Sequence, residues 1–409
     1  MKYIEKLLKG AEVKWMPLGE VAEIKRGKSL QKSDIGLGDI PIILYGELYT
    51  TYGNYIEEVV SHTSLERANN ATLAVKSNLL LPLSSTTKEA QIGKASVLCT
   101  NKPVYIGGDA LILSHSQDAG YLVHLLNSGW FEKRKMRCVK GTTIMHLSPK
   151  ELLEISIPVP PLAVQEEIAR ILDKFTTLEA ELEAELDCRK RQYEYYRNQL
   201  LSLDVITSKG NLNNVEVMTL GEIGTFVRGS GLQKKDFTPA GVGCIHYGQI
   251  YTYYGTCADK TKSFVSYEFA QKARKAKTGD LIIATTSEND DDVCKAVVWL
   301  GDDEIAVSSD ACYFTHKMNP KYVAYYFQTD SFQKQKRSFI TGTKVRRVNA
   351  TDLTKIKIPI PPLAEQQRIV SILDKFEALT TSISEGLPKE IALRRKQYEY
   401  YRNQLLLFA

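Results

Sequence analysis

Gln192-Tyr193-Glu194-Tyr195-Tyr196-Arg197-Asn198-Gln199-Leu200-Leu201 recurs at 397–406 without a single change. Ten identical residues at an offset of 205 are not a chance event, so the chain is read first as a duplication. Working outward, Ile157-Pro158-Val159-Pro160-Pro161-Leu162-Ala163 returns as Ile358-Pro359-Ile360-Pro361-Pro362-Leu363-Ala364, and Gly141-Thr142 as Gly342-Thr343. Near the start of each copy, Leu18-Gly19-Glu20, Arg26-Gly27, Leu30-Gln31-Lys32, Tyr45-Gly46 and Tyr52-Gly53 all reappear 202 residues later. Two copies of one unit fill the 409 residues.

The copies are unevenly similar. The Pro-Pro-Leu-Ala segment, Ile171-Leu172-Asp173-Lys174-Phe175 and the Tyr-rich decamer are nearly the same in both, whereas 54–140 and 256–340 share almost nothing. A segment that stays constant does one job twice; a segment that diverges does two jobs. Two identical contacts and two different targets are therefore expected.

Over 165–201, Ile168, Leu172, Phe175, Leu178, Leu182, Leu186, Tyr193, Tyr196 and Leu200 fall mostly three, four or seven apart, with Glu, Lys and Arg between. That spacing predicts an amphipathic helix. Its prolines, Pro158, Pro160 and Pro161, suit an extended lead-in and a first turn. At about 1.5 Å per residue it would be a rod of roughly 55 Å. Its natural partner is 366–407, which carries the same stripe but gains four residues around Gly386-Leu387-Pro388, where a break or kink is expected. Residues 12–160 and 213–361 mix short β-like runs, such as Ile40–Tyr45, Asp109–Leu113 and Asp280–Ala284, with turns and a few helices. The expected order is globule (1–160), rod (161–212), globule (213–361), rod (362–409), an α+β chain with an internal pseudo-two-fold repeat.

Composition narrows the class. Hydrophobic residues make up 43% and charged residues 25%, as in ordinary globular proteins. No apolar stretch is long enough to span a bilayer, and the start, Met1-Lys2-Tyr3-Ile4-Glu5-Lys6, lacks the apolar core of a signal peptide. Seven Cys without a C-x-x-C pair read as reduced thiols. A cytoplasmic location is expected.

The net charge of +5 is unevenly placed. Residues 1–160 are +3, 161–212 are −3, 213–361 are +4 and 362–409 are +1. Both globules are basic, which fits contact with a phosphate backbone. The cations also cluster at equivalent places. Lys133, Arg134, Lys135, Arg137 and Lys140 lead into Gly141-Thr142-Thr143. Lys334, Lys336 and Arg337 lead into Thr341-Gly342-Thr343-Lys344, followed by Arg346 and Arg347. A Gly-Thr turn offers an amide and a hydroxyl beside cationic side chains, a combination that can hold phosphates and reach base edges. The plain alternative is a solvated basic helix face running into a loop. Arg26 with Lys28, and Arg228 with Lys234 and Lys235, form a second basic candidate. Tyr45, Tyr49, Tyr52 and Tyr55, like Tyr247, Tyr251, Tyr253 and Tyr254, could stack on bases; packing within a sheet is the reading preferred for most of them. In the decamers, Tyr193, Tyr196, Arg197, Tyr398, Tyr401 and Arg402 are candidates for a rod seam or a partner surface.

Recognised catalytic patterns are missing. There is no G-x-x-x-x-G-K-[S/T], no strand-borne G-x-G-x-x-G, no F-x-G-x-G loop, and neither Pro-Pro pair has the Asn/Asp-Pro-Pro-aromatic form. The six His are scattered, and Glu288-Asn289-Asp290-Asp291-Asp292 reads either as a divalent-metal loop or as a plain acidic surface. The chain reads as a binding protein.

The globule–rod–globule–rod order, the Gly-Thr turn before Ile-Pro-x-Pro-Pro-Leu-Ala-x-Gln, the Ile-Leu-Asp-Lys-Phe helix and the Arg-Lys-x-Gln-Tyr-Glu-Tyr-Tyr-Arg-Asn-Gln-Leu-Leu end closely resemble the DNA specificity subunit of type I restriction–modification systems. The resemblance covers essentially the whole chain. It implies two mixed α/β target recognition domains separated by two long helices that form an antiparallel coiled coil. It implies that each domain reads half of a bipartite, asymmetric target in double-stranded DNA, and that two methyltransferase subunits dock on the helices. Restriction subunits would complete the enzyme. S-adenosylmethionine, ATP and Mg are expected only on those partners, and no active site on this chain. Other classes are a fused restriction–methylation enzyme and a coiled-coil scaffold for protein ligands.

Overall fold

The computed structural model describes residues 3–86, 92–209, 215–382 and 384–408, and the chain divides into two compact units. Unit 1 comprises Met1–Glu183 and Glu390–Ala409; unit 2 is Ala184–Lys389. Each unit thus combines one globule with the Tyr-rich decamer of the other copy. The boundary expected at 212/213 lies outside the described residues.

In unit 1 a five-stranded sheet runs in the order Ala22–Arg26, Ala110–His115, Leu79–Pro82, Ser96–Leu98, Tyr55–Ile56. A four-stranded sheet, ordered Ser61–Thr63, Ile40–Ile43, Val104–Ile106, Thr72–Ala74, packs on one of its faces. Successive side chains of a strand point to opposite faces, and the buried residues divide accordingly. Leu80, Ala110 and Ile112 enter the core between the sheets, while Leu79, Leu81, Leu111 and Leu113 enter a second core on the other side. Helix Ala119–Leu126 covers that second core. Ile168 and Leu172 of the long helix, Leu405 and Leu406 near the C-terminus, and Ile4 of helix Tyr3–Leu8 fill the rest. Lys14–Pro17 pairs antiparallel with Ser156–Val159, joining the two ends of the domain.

Unit 2 repeats this plan. Its first sheet runs Gly224–Arg228, Ala311–His316, Leu281–Ala284, Ala296–Trp299, Cys257–Ala258, and helix Pro320–Tyr326 covers one face. Ile369, Val370 and Leu373 of helix Leu363–Thr381 join that core, together with Tyr193, Leu201 and Ile206 from around the first decamer. Ile206 belongs to helix Leu203–Lys209 and plays the part that Ile4 plays in unit 1. The stretches with almost no shared sequence therefore adopt one topology. The fold requires only apolar residues at the buried positions: Leu79-Leu80-Leu81 and Leu281-Ile282-Ile283 are interchangeable in that sense.

The helices begin where the prolines allow. Pro362 caps Leu363–Thr381 with φ −52° and ψ 149°, and its missing N–H is one that a first turn leaves unpaired in any case. The first rod is a single helix, Leu162–Leu200. The second is interrupted, as its insertion predicts, between Thr381 and Leu387. Gly386 sits at φ +95°, and a Cβ there would lie 2.4 Å from the Ala378 carbonyl oxygen, so only glycine makes this turn. Within unit 1 the helices run antiparallel: Phe175 stacks on Tyr401 (5.1 Å) while Glu179 and Glu183, further along, pair with the earlier residue Arg395. No helix among the described residues is long and apolar enough to cross a membrane.

Candidate nucleic-acid interface

The Gly-Thr segments are hairpin tips. Val139–Lys140 pairs with Met145–Leu147, which also pairs with Ser84–Ser85. In unit 2, Arg346–Arg347 pairs with Thr286–Ser287, and Thr341 bridges back to Arg347. The tips Gly141-Thr142-Thr143-Ile144 and Gly342-Thr343-Lys344-Val345 are exposed throughout. Their glycines have φ +106° and +87°, and an added Cβ would meet the Ile144 or Val345 carbonyl oxygen at 2.1 or 2.2 Å. The turn is therefore closed to other residue types without a backbone shift.

Each unit also holds a cleft over a short helix. In unit 1 it measures about 660 Å³ and is lined by Gln31, Lys32, Ile35, Tyr45, Gly46 and Thr50 above helix Glu47–Thr50. In unit 2 it measures about 770 Å³ and is lined by Lys234, Tyr247, Gly248, Thr252, Lys262, Asn289 and Val345. Lys32 and Lys234, Tyr45 and Tyr247, Gly46 and Gly248, Thr50 and Thr252 are equivalent at the offset of 202. The Lys of the shared Leu-Gln-Lys and the Tyr-Gly words of the sequence thus come together as one floor, and the walls differ. Of the two tyrosine groups, Tyr45 and Tyr247 face these clefts. Tyr49 and Tyr251 donate to the Ser84 and Thr286 carbonyls at 2.8 and 2.7 Å, and Tyr251 also lines the unit 2 cleft. Tyr49 and Tyr251 stand on short helices, not on strands as the preferred sequence reading has it.

Most of the predicted cations are exposed, and several are held. Arg26 pairs with Asp109 at 2.7 Å, Arg228 donates to the Ser309 carbonyl at 3.0 Å, and Arg134 lies 3.9 Å over the Trp130 ring. Lys140 pairs with Glu151, and Arg346 with Asp290 at 2.8 Å. Arg337 lies 3.8 Å from Asp291. Lys28, Arg137, Lys234, Lys235, Lys344 and Arg347 are exposed, as are the hydroxyl-bearing Thr142, Thr143 and Thr343. Two carboxylates of the Glu288–Asp292 segment are thus engaged by arginines, and among the described residues no cluster of three or more ligand-type side chains could hold a metal ion.

Lys135 and Lys336 require correction. Both occupy equivalent positions and both are buried. Lys336 donates to the Asp291 and Val293 carbonyls at 3.0 and 2.9 Å, and Lys135 to the Gly93 carbonyl at 3.2 Å with Glu132 alongside. Burial pushes both ammonium pKa values down. These lysines fasten the loop next to the hairpin, and a phosphate cannot reach them. On a helical net they share the basic stretch of their neighbours, so composition alone could not separate them.

The decamers form joints inside the units. In unit 1 the fully buried His124 has Nε2 2.8 Å from Asp173 and Nδ1 2.9 Å from the Tyr398 hydroxyl, and Tyr55 donates to Asp173 at 2.6 Å. In unit 2 Tyr325 takes the place of His124 and donates to Asp374 at 2.6 Å. Arg402 lies 4.9 Å over Tyr398, and Arg197 lies 5.0 Å over Tyr193 and donates to Gln328 at 3.2 Å. Tyr193 and Tyr196 both stack on Phe376, at 6.3 and 5.4 Å. The reading of Tyr193, Arg197, Tyr398 and Arg402 as a surface for another protein is therefore corrected to a seam, because their own unit occupies them. Tyr196 and Tyr401 keep partly exposed rings, and Tyr195 and Tyr400, not singled out in the sequence, are each 60% exposed.

Comparison with known proteins agrees with this geometry. A family model described as the type I restriction modification DNA specificity domain matches residues 11–187 and 213–393, one match per copy. The chain is 32% identical to a putative type I restriction enzyme specificity subunit of Haemophilus influenzae, covering 100% of this chain and 98% of that protein. It is 31% identical to a type I restriction enzyme specificity subunit of Escherichia coli, covering 100% and 97%. Its fold is similar to the type I restriction–modification S subunit of M. genitalium, with TM-score 0.53, 16% identity and 100% of each chain covered. It is also similar to a chain from a structure concerned with complex assembly and conformational transition of the type I R-M system, with TM-score 0.60, 15% identity and 98% of each chain covered.

Proposed function

The chain belongs to the type I restriction–modification DNA specificity family, and from that premise we propose how its parts divide the work. Each recognition domain reads one half of a split target in double-stranded DNA, and the helices set the spacing between the halves. The exposed cations around the hairpin tips and clefts neutralise phosphates, and a few cleft and tip residues choose bases. Two methyltransferase subunits dock along the helices, and restriction subunits complete the assembly. S-adenosylmethionine, ATP and Mg belong to those subunits. This chain supplies recognition and no active site. A methyltransferase partner then turns an adenine out of each half-site to reach it. The complex acts in the cytoplasm.

The observation that carries this reading is the pair of clefts. They have equivalent floors and different walls, which is what two readers of unlike sequences on one scaffold require. The test is to co-express the chain with its cognate methyltransferase subunit in a methylation-free host and sequence the methylome. A split, asymmetric adenine-methylation motif that vanishes without this chain is the expected result. Normal assembly with no new methylation would overturn the reading.

A further inference from the structure

Resting on that reading, we propose that Ile144 and Val345 are direct base contacts: each places a branched aliphatic side chain against a base edge of its own half-site. The hairpin tips were singled out in the sequence for their glycines, threonines and cations. The structure adds a residue that this chemistry leaves out. Ile144 and Val345 occupy the same tip position and are 49% and 43% exposed. A single exposed apolar residue is ordinary. The same kind of residue recurs at the same tip position of both copies, after the shared Gly-Thr, although the residue just before it has changed from Thr143 to Lys344.

Local geometry makes both turns tight. The positive-φ glycines bring the chain back so tightly that a Cβ would strike the carbonyl of Ile144 or Val345. In unit 2 the Arg346 guanidinium also donates to the Gly342 carbonyl at 2.6 Å, bracing the turn. Val345 lines the cleft beside Lys234, Tyr247 and Asn289. Each tip is therefore an exposed apolar point with cations nearby: Lys140, which pairs with Glu151, at one tip, Lys344 and Arg347 at the other. Cations beside an apolar point match the edge of a DNA groove. Phosphates line the groove walls, and the thymine methyl is the apolar feature of a base edge in the major groove.

The test uses the full chain, co-expressed with its cognate methyltransferase subunit, carrying Ile144→Ser or Val345→Ser, with methylome sequencing as readout. Each variant is expected to relax one base position in one half-site, with discrimination there falling about tenfold. The two variants should relax opposite halves, and the untouched half reports that the complex is folded and active. An unchanged motif in both variants would overturn the proposal. So would a uniform loss of methylation with the motif intact, which would make the tips positioning elements. If the wild-type chain directs no split motif, the reading beneath the proposal fails, and the proposal with it.

Discussion

Two lysines of one basic stretch show what a residue's surroundings decide. Lys336 and Lys344 belong to the same basic run, yet one is buried against backbone carbonyls and the other stands on an exposed hairpin tip. Lys336→Met keeps the length of the side chain and leaves the Asp291 and Val293 carbonyls without their donor. We expect a loss of about 1–3 kcal/mol, read as a lower melting temperature, with the salt slope of DNA binding unchanged. Lys344→Ala should leave the melting temperature alone and reduce the magnitude of that slope by about one. Equal effects of the two variants on DNA binding would refute the division. The sequence shows the basic runs but could not tell their members apart, because burial is decided by residues far away in the chain.

At the scale of elements, much was legible. Prolines placed the helix starts, the apolar stripe gave the long helix, and Gly386 with Pro388 marked the interruption. The constant Gln of Pro-Pro-Leu-Ala-x-Gln acquires its reason only in three dimensions. Gln165 donates to the Pro160 carbonyl and accepts from Asp118 N–H; Gln366 does the same with Pro361 and Asn319. Each one fastens a helix start to the first turn of a domain helix. The strands Ala110–His115 and Ala311–His316, second in their sheets, both end in a half-buried histidine whose pKa burial pushes down, to about 4 for His316. Its folded pKa lies below the unfolded value of 6.5. The unfolded chain therefore binds more protons between those pH values, and stability is lost as pH falls through that window. Melting temperatures measured from pH 7 to pH 4 should decline, with a contribution on the order of 2 kcal/mol from His316. His316→Gln should flatten the decline; an unchanged profile would remove His316 as its cause.

For the whole molecule the decisive fact is that neither compact unit is one continuous half of the duplication. Unit 1 needs Glu390–Ala409 to complete its core. Burial of Leu405 and Leu406 alone is worth about 3–6 kcal/mol, a large share of a domain's net stability. A fragment of residues 1–183 should therefore be molten or insoluble. The same fragment joined through a flexible linker to 390–409 should recover a cooperative thermal transition. A stable, cooperative 1–183 fragment would show that the decamer is dispensable to the unit. The joint also explains why the decamer did not change between copies: the same ten residues fit two domains at equivalent places, through Tyr398 on His124 in one and through Tyr193 on Phe376 and Arg197 on Gln328 in the other.

Repeats, periodicity and turn chemistry are local properties, written in order along the chain. They sufficed for the duplication, the family resemblance, the rods and the break in the second one. Which lysine is buried, which tyrosine faces a cleft and which surface of the decamer is already taken depend on partners tens to hundreds of residues away. Lys336 meets carbonyls 43 and 45 residues back, and Tyr398 meets a histidine 274 residues back. Contacts at such separations leave no local pattern, because any residue of suitable size and polarity can serve, so only the folded chain decides them.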